Sequence, residues 1–132
     1  MTAFAGYDMP VWYKSVSDEH AAVRTSAGIF DVTHMGVWEV SGVASESFLN
    51  ALTSNDVSAL KSGDAQYSYL LGTDGTPLDD IYVYRLEPNR FLIVVNASND
   101  DKDWAWVNAV RDGRTVIDWR VPVRSCWIAP IW

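Results

Sequence analysis

Two adjacent carboxylates, Asp79 and Asp80, are the most suggestive pair for chemistry in this sequence of 132 residues. They lie in residues 78–86, where apolar and polar side chains alternate as in a β-strand, so neighbours leave on opposite faces. They therefore cannot share a proton as a catalytic dyad does. The period of two groups Asp79 with Ile81 and Val83, and Asp80 with Tyr82 and Tyr84. A carboxylate among apolar neighbours is disfavoured in its charged form and is expected to hold a proton more tightly, which suits a general base or a hydrogen-bond acceptor. The competing reading is that both acids cap the turn after Gly75 and Pro77. Asn96 ends the apolar run FLIVVN, and Asn99 follows closely. An amide at a strand end can read the donor and acceptor pattern of a heterocycle, or it can simply close a turn and cap a helix. His20 and His34 are too isolated from Cys126 to have metal-ligand spacing. The sequence holds neither a glycine-rich phosphate loop nor a Gly-x-Ser-x-Gly elbow.

Positioning these side chains falls to a set of short elements that begins at Gly36. Residues 37–40 read as a strand closed by Ser41-Gly42, and residues 44–53 carry Phe48, Leu49 and Leu52 at helical spacing. Residues 65–72 are expected to form a strand with Tyr67, Tyr69 and Leu71 on one face, and Asp74-Gly75 is a hairpin turn signal. After the strand over 78–86, Glu87-Pro88-Asn89-Arg90 turns the chain into an apolar strand over 91–96. Ser98 or Asn99 then caps a helix whose first turn holds Asp100, Asp101 and Asp103, where carboxylates suit the helix dipole. Trp106, Val107 and Val110 form its inward stripe, and residues 114–119 read as a last strand.

This order predicts an α+β fold: a ferredoxin-like split β-α-β sheet with two helices on one face, over residues 36–119. Residues 1–35 are expected to be an N-terminal segment of an incomplete neighbouring domain, with a short helix near Asp18-Glu19-His20 that Gly28 ends. Residues 120–132 lack periodicity and are expected to be an irregular, truncation-related tail, where a longer protein has been cut off, with an edge segment as the alternative.

Composition narrows the function classes. At 48% hydrophobic and 20% charged residues, the chain can bury a core and is not a disordered segment. Seventeen acidic against ten basic residues give a net charge of -7, which argues against a nucleic-acid partner. A single cysteine excludes an internal disulfide framework. No apolar run is long enough to span a membrane, and the start MTAFAGYDMP lacks the features of a secretory signal, so a cytoplasmic location is expected. Seven tryptophans either line a flat-ligand site or belong to core and partner surfaces.

The motifs taken in order go further. Phe4-x-Gly6-x-x-Met9-Pro10-Val11 is followed by Asp18-Glu19-His20-x-x-Val23-Arg24 and by the run from Ala27 to Gly36, AGIFDVTHMG. Next come Asn55-Asp56-Val57, Gly63-x-Ala65-x-Tyr67, and Asp74-Gly75-x-x-Leu78-Asp79-Asp80-Ile81-x-Val83-Tyr84. The last is Val94-Val95-Asn96-Ala97-x-Asn99-x-x-Lys102-Asp103. Over about residues 4–119 the chain resembles the N-terminal part of the glycine cleavage system T-protein, the aminomethyltransferase family.

The resemblance implies tetrahydrofolate as acceptor of a one-carbon unit. It also implies a lipoylated carrier (H-protein-like) as the partner that brings the aminomethyl group, with ammonia released. By the same resemblance Asp79 is the catalytic carboxylate beside the folate. Met35 would pack against its ring system, Tyr67 would line the pocket, and Asn96 would hydrogen-bond the pterin. Complete family members are much longer and close the folate pocket with later domains, so this chain alone is not expected to turn over. An N-terminal segment without its usual packing partner exposes apolar surface, with Trp12, Tyr13, Trp127 and Trp132 as candidates for self-association. Three other readings remain open: a non-catalytic folate-dependent accessory protein, a folate-dependent demethylase relative, and a small interaction domain.

Overall fold

The computed structural model describes residues 1–113 and the backbone of residues 127–130. Its contacts divide the chain into two units, Met1–His34 and Met35–Trp132.

The first unit opens with a hairpin of β1 (Thr2–Phe4) and β2 (Tyr7–Met9), paired Thr2 to Met9 and Phe4 to Tyr7. Its two-residue turn is Ala5-Gly6, at φ 49° and 84°. A tight primed turn needs positive φ at both central positions, which glycine adopts freely and alanine only at a cost. Helix α1 (Val16–Thr25) starts where the Ser15 hydroxyl accepts the Asp18 backbone N–H at 3.1 Å. Asp18 and Glu19 occupy its first turn and Arg24 its last, in keeping with the helix dipole. The helix begins two residues before Asp18 and stops at Thr25, short of the expected end at Gly28, because Ser26 leaves helical geometry. Trp12 and Tyr13 are exposed, and the side chains of Trp127 and Trp132 lie outside the described residues.

The second unit is an α+β sheet layer. Its strands are β3 (Gly36–Ser41), β4 (Ala65–Leu71), β5 (Pro77–Glu87), β6 (Arg90–Val95) and β7 (Trp127–Pro130). They lie in the order β4-β5-β6-β3-β7, every neighbouring pair antiparallel. β6 and β7 flank β3 and run parallel to each other, so β6, helix α3 (Asp100–Arg111) and β7 make a split β-α-β unit around β3. The meander β4-β5-β6 adds a fifth strand to the four of a plain ferredoxin-like sheet. Helix α2 (Ser45–Leu52) consequently connects β3 to the far edge. The strand expected over 114–119 lies outside the described residues.

One sheet face is buried and one is open. Trp38, Val40, Leu70, Ile81, Val83, Phe91, Ile93 and Val95 form a single core with Phe48, Leu49 and Leu52 of α2 and Val107 and Val110 of α3. Both helices therefore cover the same face, as their apolar stripes require. The opposite face of β4 and β5 carries Tyr67, Tyr69, Tyr82 and Tyr84, all exposed. The β4-β5 turn follows the Asp74-Gly75 signal: Gly75 has φ 80°, and the Asp74 carboxylate accepts Thr76 N–H at 3.0 Å. Among the described residues no helix is long and apolar enough to cross a membrane.

Candidate functional site

Strand β5 separates the two carboxylates as its pleat demands. Asp79 pairs across to Leu70 and is 7% exposed, on the core face with Ile81 and Val83. Asp80 pairs with Tyr69 and is exposed on the tyrosine face. The Asp79 carboxylate is heavily solvated by protein donors. Its Oδ2 accepts the Asn96 backbone N–H at 3.1 Å, and its Oδ1 accepts Asn96 Nδ2 at 2.9 Å and Asn99 Nδ2 at 2.6 Å.

The apolar surroundings of Asp79 were expected to raise its proton affinity, and here the structure corrects the sequence. Burial does push its pKa up, but hydrogen bonds from the Asn96 amide, Asp103, the Asn96 backbone and Asn99 together bring it below the usual carboxylate value. Those donors come from a loop and helix distant in sequence, so spacing within β5 carried no sign of them.

Asn96 leaves the end of β6 and joins the two faces. Besides Asp79, its Nδ2 lies 3.1 Å from the Asp80 carbonyl and 3.0 Å from Asp80 Oδ1. Asn99 occupies the N-cap position of α3 without capping it, since its side-chain amide is directed to Asp79 instead. Met35, half-buried, immediately precedes Gly36, whose strand partner Val95 immediately precedes Asn96. Met35 and Asn96 therefore leave the sheet at the same end of the β3-β6 pair. Tyr67 lies opposite Tyr82 in the β4-β5 register, with its ring 5.5 Å from both Tyr69 and Tyr82 in edge geometry. Its hydroxyl pKa is raised by a hydrogen bond with Tyr69, by burial and by the Asp80 carboxylate, which keeps it a neutral donor.

Of the residues singled out from the sequence, Tyr67 and Asn96 come to the open face or its rim, with Met35 at the same sheet end. Asp79 stands behind them in the core. Asp80 is the acid that shares the face with Tyr67, a placement already implied by the strand period. Asp103 was read only as a first-turn acid of α3, yet it is 0% exposed. Its spacing from Val107 and Val110, four and seven residues on, was the available signal that it belongs to the buried stripe. Among the described residues no cluster of three or more His, Cys, Asp or Glu could hold a metal ion.

Asp80 offers acceptor oxygens, the Asn96 amide is held in place, and the tyrosine rings offer apolar area beside them.

Comparison with known proteins gives an independent finding. A family model described as the GCVT N-terminal domain matches residues 1–126. An aminomethyltransferase of Bacillus subtilis is 51% identical over 115 residues, covering 87% of this chain and 32% of that protein. One from Deinococcus deserti is 50% identical over 113 residues, covering 86% and 32% respectively. The crystal structure of the glycine cleavage system aminomethyltransferase T from Bartonella henselae superposes with a TM-score of 0.81 at 34% identity, over 98% of this chain and 34% of that one. The chain thus spans about a third of the length of the relatives it matches.

Proposed function

The chain belongs to the GCVT N-terminal domain family of aminomethyltransferases, and on that premise we propose that it supplies the tetrahydrofolate-contacting sheet of such a transferase. The observation that carries this reading is the joint placement of Asp80, Tyr67 and Asn96 at one open sheet face, with Asp79 bracing Asn96 from the core.

Each residue has a physical task in this reading. Asp80 accepts hydrogen bonds from N–H groups of the pterin or holds a proton near its reacting amine. The Asn96 amide nitrogen is occupied by the two aspartates, which leaves its carbonyl oxygen to accept from the ligand. Tyr67 and Tyr82 provide apolar area and, from Tyr67, a neutral hydroxyl. Met35 packs against the ring system from the same end of the sheet. Asp79, assigned from the resemblance as the catalytic acid, works here as a positioning residue: its carboxylate lies on the buried face and is held there by the Asn96 and Asn99 donors.

Tetrahydrofolate supplies the nucleophilic amine that takes up the one-carbon unit. The unit would arrive on a lipoylated carrier protein of the H-protein kind, with ammonia as the other product.

The test is calorimetric titration of tetrahydrofolate into the chain and its variants. Wild type is expected to bind, and Asp80→Asn and Asn96→Ala are each expected to weaken binding about tenfold, the effect of losing one hydrogen bond to a charged group. Equal affinity in all three proteins, or no binding by wild type, would overturn this reading.

A further inference from the structure

Asp103 is the least explained charged residue of the fold. It sits in the first turn of α3 with 0% exposure, packed into the layer between helix and sheet. One oxygen, Oδ1, accepts Lys102 Nζ at 2.7 Å. The other, Oδ2, is buried and has no donor among the described residues. A buried carboxylate oxygen without a donor forfeits its solvation with nothing in return, so such atoms call for a cause.

The surroundings of Asp103 supply one. Lys102 Nζ bridges Asp103 Oδ1 and the carbonyl of Leu78, the residue before Asp79, at 2.7 Å each, and Asn99, one turn before Asp103 on α3, donates to Asp79 at 2.6 Å. The two carboxylates thus come together between β5 and α3, and interacting acceptors are compatible only if one carries a hydrogen. Asp79 is the worse proton carrier of the two, because the Asn96 N–H, Asn96 Nδ2 and Asn99 Nδ2 already stabilise its anion.

We propose that Asp103 and Asp79 form a buried acid–carboxylate pair, in which Asp103 Oδ2 donates a shared proton to Asp79 and so fixes the grip of Asp79 on Asn96. The pair is the inner end of a continuous path of side chains, Asp103 to Asp79 to Asn96 to Asp80, that runs from the helix layer to the open face. The pair stands on the buried, donorless Oδ2 of Asp103 and on the Lys102 and Asn99 contacts that draw α3 to the Asp79 end of β5. Its role as a positioning device for a ligand rests on the function proposed above.

The surroundings define when the proton leaves. On α3, Lys102 faces Asp103 and is also anchored to the Leu78 carbonyl at 2.7 Å, while Asp100 is engaged by the Trp38 indole N–H at 2.8 Å. On β5, Asp79 lies on the buried face that α3 covers, and Asp80 lies on the other face. The one charged residue of α2, Glu46, is paired with Arg85 at 2.7 Å, and β3 presents only the Trp38 indole. Burial raises the Asp103 pKa most, Lys102 lowers it and Asp79 raises it, leaving it at about 6. Asp79 moves the other way, below the usual carboxylate range, because its burial is outweighed by the hydrogen bonds from Asn96, Asp103 and Asn99. A single proton on the pair is therefore the stable state in mildly acidic solution, and it is lost as pH rises through about 6.

The primary experiment follows aspartate carboxyl carbons by NMR in the chain labelled with 13C at aspartate Cγ, from pH 4 to 8. One resonance titrating near pH 6 in wild type, and absent from Asp103→Asn, is expected. Every resonance titrating in the ordinary carboxylate range would overturn the pair.

Denaturant midpoints supply a second measurement. The Asp103→Asn amide can donate to Asp79 at any pH, so its stability should stay level between pH 5 and 7.5, where that of wild type falls. Equal slopes for the two proteins would count against the proposal.

Tetrahydrofolate titration separates the positioning role from the pair. Affinity several-fold weaker at pH 7.5 than at pH 5.5 in wild type, and flat in Asp103→Asn, supports that role; binding that is flat in both overturns it. No binding at any pH, with the resonance still titrating near 6, would sink the folate reading and leave the pair intact.

Discussion

Asn96 has two amide hydrogens and three acceptors within reach, the Asp79 carboxylate and both oxygens offered by Asp80. That surplus of acceptors is tolerable because the side chain is a neutral donor between two acids. Changing Asn96 to Asp keeps its shape, removes the donor and adds a third negative charge beside Asp79 and Asp80. Stability is expected to fall by about 2 kcal/mol at neutral pH and to recover partly as the new carboxyl is protonated on acidification. Urea unfolding at several pH values would measure this, and a pH-independent loss would mean that electrostatics is not the cause. The same local balance explains Asp79. Its environment is apolar on the strand but rich in donors from the following loop and helix, and the donors prevail.

The elements that hold this cluster meet closely where β3 begins under the N-terminus of α3. A Cβ added at Gly36 would overlap the Asp100 carboxylate and a Val95 methyl group. Neither neighbour moves freely, since Asp100 is held by the Trp38 indole and Val95 is fully buried. Gly36→Ala is therefore expected to destabilise the unit by about 1–3 kcal/mol through overpacking, read as a lower denaturant midpoint with an unchanged slope. Trp38 adds to this junction through an edge contact with Trp104 at 5.4 Å, which ties β3 to α3 a second time. Among the described residues of the unit the Tyr67, Tyr69, Tyr82 and Tyr84 face has no such cover, so these residues stay available to a ligand or to other parts of a larger protein.

For the whole molecule the open face sets the expected activity. Transfer of a reactive one-carbon unit needs water kept away from the reacting atoms, and a single uncovered sheet face does not exclude it. The chain corresponds to about a third of its relatives' length. Tetrahydrofolate binding without ammonia release is therefore expected when the chain is incubated with an aminomethyl-lipoyl carrier protein. Steady ammonia production in a coupled assay would show that more of the site is present than the open face suggests.

The local patterns were legible because strand and helix periods are written in neighbouring residues. The alternation along β5, the Asp74-Gly75 turn, the apolar stripe of α2 and the family's ordered motifs needed no tertiary information. The alternation even separated Asp79 from Asp80 onto opposite faces. What the folded chain alone decided was what each face meets. Asp79 is surrounded by groups that follow it by up to twenty-four residues, and its proton affinity depends on that company and not on Ile81 and Val83. Asn99 looked like a helix cap and is a ligand of Asp79. Asp103 looked like one of three first-turn partners of the helix dipole and is fully buried. Hydrogen bonds and burial are set by three-dimensional proximity, and pKa values follow them, so the chemistry of these carboxylates emerges only when β5, the end of β6 and α3 come together.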